Sequence, residues 1–260
     1  MAARKNGATL PFPVFSRTAQ GEDGIVVTTR PSSAWDRYAW VAGILFVIAL
    51  AAEAVVAIGL GVNQDDSAAK IANALYDHRT RLLVIAYLSV VYAATFPIYL
   101  SRLHNLLRGN PNRPQALGPL VLAGGVLFVA LHAVSDVGIT GLFGAKLASF
   151  GAQHDPGVSY MLYLITFAVD SVGDVFGSLF ALAAGLLVIG SGVLPRWLGW
   201  VSILAGILFF FQGFGLGGVI ATFGLVLDGI GFVLFLIFVL VSSVIFLRRE
   251  SAVPSASGGI

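Results

Sequence analysis

Two pairs of side chains stand four residues apart inside apolar runs of this chain: His132 with Asp136, and Asp170 with Asp174. Four residues is close to one helical turn, so each pair shares a face. An imidazole and three carboxylates so placed could relay protons, hold a cation or act as weak metal ligands. Glu53, Gln212 and Asp228 lie in three further apolar runs, and no lysine or arginine lies in any of these runs to pair with the acids. A charge at the bilayer centre opposes insertion by about 2.5–3.5 kcal/mol, so five lipid-facing carboxylates would oppose it by about 12–17 kcal/mol. These groups must therefore face the bundle interior, meet water, bind a cation or keep a proton.

The elements that must position them follow from hydropathy. The 260 residues are 57% hydrophobic and 11% charged, with mean hydropathy +0.90, which excludes a soluble globule. Six apolar runs, at about 38–61, 82–101, 117–142, 160–190, 197–219 and 225–247, each approach or exceed the ~20 residues that cross a bilayer. The fold expected is all-α: an integral membrane bundle of six transmembrane helices over 36–249, with disordered cytoplasmic tails at 1–35 and 250–260. The fourth run is long enough that it must tilt or protrude. Residues 217–224, without charge and rich in glycine, read as a turn between the last two spans. Asp65-Asp66-Ser67 is a helix start, followed by Ala68, Ile71, Ala72 and Leu75 at helical spacing. Pro97 is placed to kink the second span.

Basic residues set the orientation. Eleven lysines and arginines fall on one side of the six spans, against Lys70, Arg79, Arg81 and Lys146 on the other. The positive-inside rule puts both termini in the cytoplasm and all four tryptophans at the cytoplasmic interface. Under that topology Glu53, His132, Asp136, Asp170, Asp174, Gln212 and Asp228 all fall in the outer half of the bundle or near its middle. Polar groups of five helices thus lean toward one extracytoplasmic pocket. Carboxylates so crowded cannot all ionise together, so a proton or cation belongs among them. Gly173 and Gly177 flank Asp174 in a pattern that lets another helix approach.

A short motif recurs beneath the hydropathy. Ala42-Gly43-Ile44-Leu45-Phe46, Gly124-Gly125-Val126-Leu127-Phe128 and Ala205-Gly206-Ile207-Leu208-Phe209 stand 82 and then 81 residues apart. Each copy opens an outward-running span, which suggests three parallel helical hairpins. The small residues favour close helix contact with or without a true repeat.

Other functional classes find little support. Net charge is +2 with no basic patch, so nucleic acid is not a partner. Cysteine is absent, which removes disulfides, thiolate metal sites and cysteine nucleophiles. No phosphate-binding loop, HExxH or nucleophile elbow occurs, so enzymatic activity is not favoured and no cofactor is indicated. No cleaved signal peptide is visible, because the first apolar run is longer than a signal core. The plasma membrane, as a bacterial inner membrane, is the expected location.

Ser191-Gly192-Val193-Leu194-Pro195-Arg196-Trp197-Leu198-Gly199-Trp200, followed by Ala205-Gly206, resembles a segment of uncharacterised bacterial multi-pass membrane proteins. These form the domain-of-unknown-function family numbered four-three-eight-six. The resemblance centres on 191–206 and implies a multi-pass fold, with no activity, substrate or site residues.

Three functional readings remain. The pocket binds or transports a cation, a proton or a cationic solute. Alternatively the chain is a non-catalytic membrane subunit or assembly factor, working with a homo-oligomeric or membrane-protein partner. The third is a membrane-embedded metal-dependent hydrolase with His132, Asp136, Asp170 and Asp174 as ligands.

Overall fold

The computed structural model describes residues 34–62, 65–107, 116–213 and 221–251, with side chains over 35–62, 65–107, 116–212 and 229–250. Residues 1–33 and 252–260 of the expected tails, and 217–220 of the expected turn, lie outside the described residues. Among the described residues the fold is helical throughout. In order come α1 (Ala34–Ile58), α2 (Ala68–Asp77), α3 (Arg79–Leu107), α4 (Leu117–Ala133), a π-helical segment (Val134–Gly144), α5 (Ala145–Gln153), α6 (Pro156–Ser191), α7 (Arg196–Gly213) and α8 (Ala221–Ser251).

Among the described residues, five helical stretches are long and apolar enough to cross a membrane: Trp35–Ile58, Arg79–Leu107, Leu117–Gln153, Pro156–Ser191 and Gly229–Glu250. Helix α7 is a shorter apolar helix, packed between α6 and α8. Large apolar side chains such as Leu45, Ile48, Val55, Val90, Leu186 and Val233 stand exposed on the outer faces. Water would not tolerate so much exposed apolar surface, and lipid does.

Helix ends follow from local chemistry. Ser67 caps α2 by accepting from the Lys70 amide at 3.3 Å, and Ile71, Ala72 and Leu75 bury one face of that helix. Asp155 caps α6 by accepting from the Gly157 amide, with Pro156 at the first helical position. At its other end α6 stops at Gly192, whose φ of 65° suits glycine. At ~1.5 Å per residue the 36 residues of α6 span about 54 Å, well beyond the ~30 Å hydrocarbon core.

The third apolar run departs from the expected 117–142. It continues as one helical path to Gln153, and its middle is π-helical. Ser135 and Thr140 both reach Thr166 on α6, Ser135 Oγ donating to its carbonyl at 3.3 Å and Thr140 meeting its hydroxyl at 3.0 Å. Residues five apart would diverge by about 140° on an α-helix, whereas an i→i+5 turn brings them onto one face. Gly141 lets α3 cross here, since a Cβ would collide with Ala86.

Glycines of the recurring motif sit at close helix crossings. A Cβ on Gly124 would stand 2.8 Å from the Phe180 amide nitrogen, one on Gly206 would stand 2.8 Å from Leu182, and one on Gly43 would meet Tyr99 and Ser243. The phenylalanine ending each copy then reaches the bundle centre. Phe46, Phe128 and Phe209 join Phe96, Phe180 and Phe235 in one buried layer, each ring from a different helix. Neighbouring centroids lie 4.4–6.3 Å apart, in tilted and edge-on pairs. Such pairs add about 0.5–1.5 kcal/mol each beyond burial.

The two ends of the bundle differ. At one, Arg102 pairs with Asp36 at 3.2 Å and Glu250 at 3.4 Å, joining α3 to α1 and α8. Arg249 donates to the Val193 carbonyl at 2.7 Å in the α6–α7 turn. Trp35, Trp197 and Trp200 are exposed at this end, as interfacial rings would be. Trp40 corrects the expectation: it is fully buried, stacks on Phe246 at 4.5 Å and donates to Glu250 at 2.9 Å. Its indole N–H finds a carboxylate inside the bundle, so it needs no interface. At the opposite end α2 lies over a small second core of Ile71, Leu75 and Leu82, supported by Leu60, Val62, Tyr160 and Tyr163.

Candidate functional site

Between the phenylalanine layer and the α2 end lies a cavity of about 200 Å³. Its walls carry Glu53 from α1, His132 from α4, Asp136 from the π-helical segment, Asp170 and Asp174 from α6, and Gln212 from α7. Six of the seven polar candidates therefore share one chamber. Asp228, the seventh, lies on α8 two turns before Phe235, and its side chain lies outside the described residues. On α1, α4, α6 and α7 the polar residues stand about one to three turns nearer the α2 end than the phenylalanine of the layer. Phe128 and Phe209 belong to both, forming the chamber's floor.

Helix α6 holds the chamber's far wall against α4 through its two glycines. A Cβ on Gly173 would press into the His132 ring, and one on Gly177 would stand 2.7 Å from Phe128. The seat orients the imidazole. His132 Nδ1 lies 2.9 Å from the Phe128 carbonyl, one turn back on its own helix. A carbonyl oxygen only accepts, so Nδ1 carries a proton and donates it there. Nε2 then faces Asp174 Oδ1 at 3.4 Å. Two lone pairs would repel at that approach, so one proton belongs between these atoms, on the imidazole or on the carboxyl. Either placement leaves the pair with no net charge.

Asp136 has its own donor. Tyr92 Oη on α3 donates to Asp136 Oδ2 at 2.6 Å, a short bond of the kind a hydroxyl makes to an acid. Asp170 is left differently. Its Oδ1 is buried without a hydrogen-bond partner among the described residues, and so is Gln212 Oε1. Both residues line the cavity, so two acceptors there await donors or a cation. Among the described residues no lysine or arginine lines it.

A larger cavity of about 400 Å³ adjoins the first and shares Glu53, Asp136, Phe167 and Asp170 with it. Its other walls are mostly apolar, including Ile58, Leu60, Val62 and Leu75 at the α2 end. Tyr163 Oη donates to the Val62 carbonyl at 3.1 Å, and Arg81 donates to the Gly59 carbonyl, so this end of the chamber is tied down by hydrogen bonds.

The metal-hydrolase reading finds no ligand set. Among the described residues no three of His, Asp or Glu are grouped closely enough to hold a metal ion. His132 is turned to Asp174 and the Phe128 carbonyl, and Asp136 to Tyr92, so three of the four expected ligands of that reading, all but Asp170, point at other partners. His78 and His154 close α2 and α5 at their C-termini and do not line the chamber.

Sequence reasoning missed Tyr92, which in an apolar span reads as core. It also missed the aromatic floor, although the recurring motif already carried Phe128 and Phe209 at its last position. Compared with known proteins, the chain matches no family model, no curated protein and no solved structure.

Proposed function

We propose that this multi-pass membrane protein binds a proton or a cation, inorganic or organic, in the chamber below α2. Six passes place both termini in the cytoplasm, with α7 as the fifth pass, and the chamber faces the extracytoplasmic side. The observation that carries the reading is Asp170 Oδ1, unpartnered among the described residues, in a chamber that they line with four acids and no basic side chain except a histidine. Intramembrane acids without basic partners mark ion and proton pathways by default. Three parallel helical hairpins, each carrying a glycine at a crossing and a phenylalanine in the central layer, form the frame. The resemblance over 191–206 adds a multi-pass frame and no activity.

One observation favours a second reading, that of a non-catalytic subunit or assembly factor. The Tyr92–Asp136 bond and the His132–Asp174 contact satisfy polar groups within the chain, as packing groups would be. Asp170→Asn separates the two. It keeps the shape and hydrogen-bonding capacity of the side chain and removes its charge. Thermal stability of purified wild type and variant is measured from mildly acidic to mildly alkaline pH, with and without mono- and divalent cations. A pH- or cation-dependent stabilisation of wild type, lost in the variant, supports the site by linkage. Superimposable profiles assign the acids to packing.

A further inference from the structure

The two cavities together say more about the ligand than its charge. Asp170 Oδ1 and Gln212 Oε1 are buried acceptors without partners, one ionisable and one neutral, and both border the smaller cavity. Acceptors of this kind are satisfied by N–H or O–H donors or by a coordinating cation. A divalent ion would need six or more oxygen ligands, and among the described residues no three acidic or histidine side chains are grouped to begin such a set. Beside its acids and His132, the smaller cavity carries four phenylalanines in its wall, Phe128, Phe167, Phe209 and Phe232. Phenylalanine faces attract a cation within about 6 Å and accept apolar substituents, whereas a bare hydrated ion gains little from them. The adjoining cavity, about 400 Å³ and mostly apolar, falls in the size range of small-molecule sites. Phe167 and Asp170 border both spaces, so a molecule could place its charged end in one and its apolar end in the other.

We infer that the ligand is an organic primary ammonium, its N–H donors held by Asp170 and Gln212 and its apolar substituent lodged in the larger cavity. This rests on the cation-site reading and narrows it. The three N–H donors match the two orphaned acceptors with one to spare for Glu53, which borders both cavities. Inorganic cations lack the apolar part, and quaternary ammonium ions lack the donors.

The test uses the full chain, purified in detergent or nanodiscs. Binding is followed by thermal shift and calorimetry with benzylammonium, benzyl alcohol, tetramethylammonium, and the chlorides of sodium, potassium and magnesium. Benzylammonium is expected to stabilise the protein, while benzyl alcohol does not and tetramethylammonium binds at least about tenfold more weakly. Asp170→Asn and Gln212→Leu should each weaken benzylammonium binding about tenfold or more. Two variants from different helices guard against one failing to fold. Equal binding of benzylammonium and tetramethylammonium, or unchanged affinity in both variants, overturns the ammonium assignment. If inorganic cations or pH stabilise wild type and no amine does, the assignment falls while the cation site stands. If no amine, cation or pH change acts on the wild type differently from Asp170→Asn, both fall.

Discussion

A methyl group added at Gly173 would stand 2.6 Å from both Nδ1 and Cε1 of His132. The helix that carries Asp174 thus comes close enough to meet the imidazole only because the preceding residue has no side chain. Gly173→Ala should push the ring from its seat and lower stability by about 1–3 kcal/mol. Elsewhere in a helix the same change stabilises by up to about 1 kcal/mol. Gly138→Ala is the control, since a Cβ there meets nothing within 4 Å. Thermal denaturation of both variants should give shifts of unequal size, with a large loss only for Gly173→Ala.

Tyr92→Phe removes the hydroxyl that donates to Asp136 and keeps the ring that packs edge-on against Phe46. The acid loses its donor in a place with little water. The expected destabilisation is about 1–2 kcal/mol, between the usual worth of an interhelical bond in a membrane and that of an orphaned buried acceptor. Tyr87→Phe, on an exposed face of the same helix, should change nothing measurable.

Phe96 touches the rings of Phe46, Phe128, Phe180 and Phe235. Phe96→Ala opens a hole in the middle of the layer. Its cost should fall below the ~3–5 kcal/mol of water-folded cores, because in lipid the transfer part of that figure largely disappears. The sharper readout is permeability. Proteoliposomes with the variant should pass protons faster than those with wild type, and equal rates would mean that the layer is no seal.

Arg102→Met leaves Asp36 and Glu250 without their guanidinium in a partly buried setting, with the arginine side chain 27% exposed. The expected loss is about 1–3 kcal/mol, between exposed pairs worth up to ~1 and buried ones worth ~3–5. Raising salt should narrow the difference between variant and wild type, since screening weakens what the mutation has already removed.

For topology, a reporter fused after Ile260 should be active only in its cytoplasmic form. A periplasmic signal would reverse the direction in which the chamber faces and with it the source of its ligand.

Much of this arrangement could be read from spacing and depth. Hydropathy located the long helices, and the polar residues of four helical paths, from Glu53 to Gln212, do meet in one chamber. The cap at Ser67 and the apolar face of α2 were legible because capping and periodicity are local. The π-helical segment was not, because hydropathy cannot tell a five-residue turn from a four-residue one. Its signal was the five-residue gap between Ser135 and Thr140, visible only once Thr166 stands opposite. Trp40 was misplaced because an indole near a helix start suits both an interface and a buried carboxylate, and only Glu250, distant in sequence, decides between them. The same holds for Tyr92 and Asp136, 44 positions apart.

The phenylalanine layer has an electrical consequence. The two cavities reach down to it from one side, and with water in them the membrane potential would fall mainly across the rings and the apolar bundle beneath them. A full crossing is worth about 2.3 kcal/mol per charge per 100 mV, and a cation that stops at Asp170 experiences only the part spent above the rings. Occupancy would therefore charge one plate of a thin capacitor without passing steady current. A brief, saturable displacement current that reverses on washout would be the electrical signature of a cup, where a pore would give a sustained one.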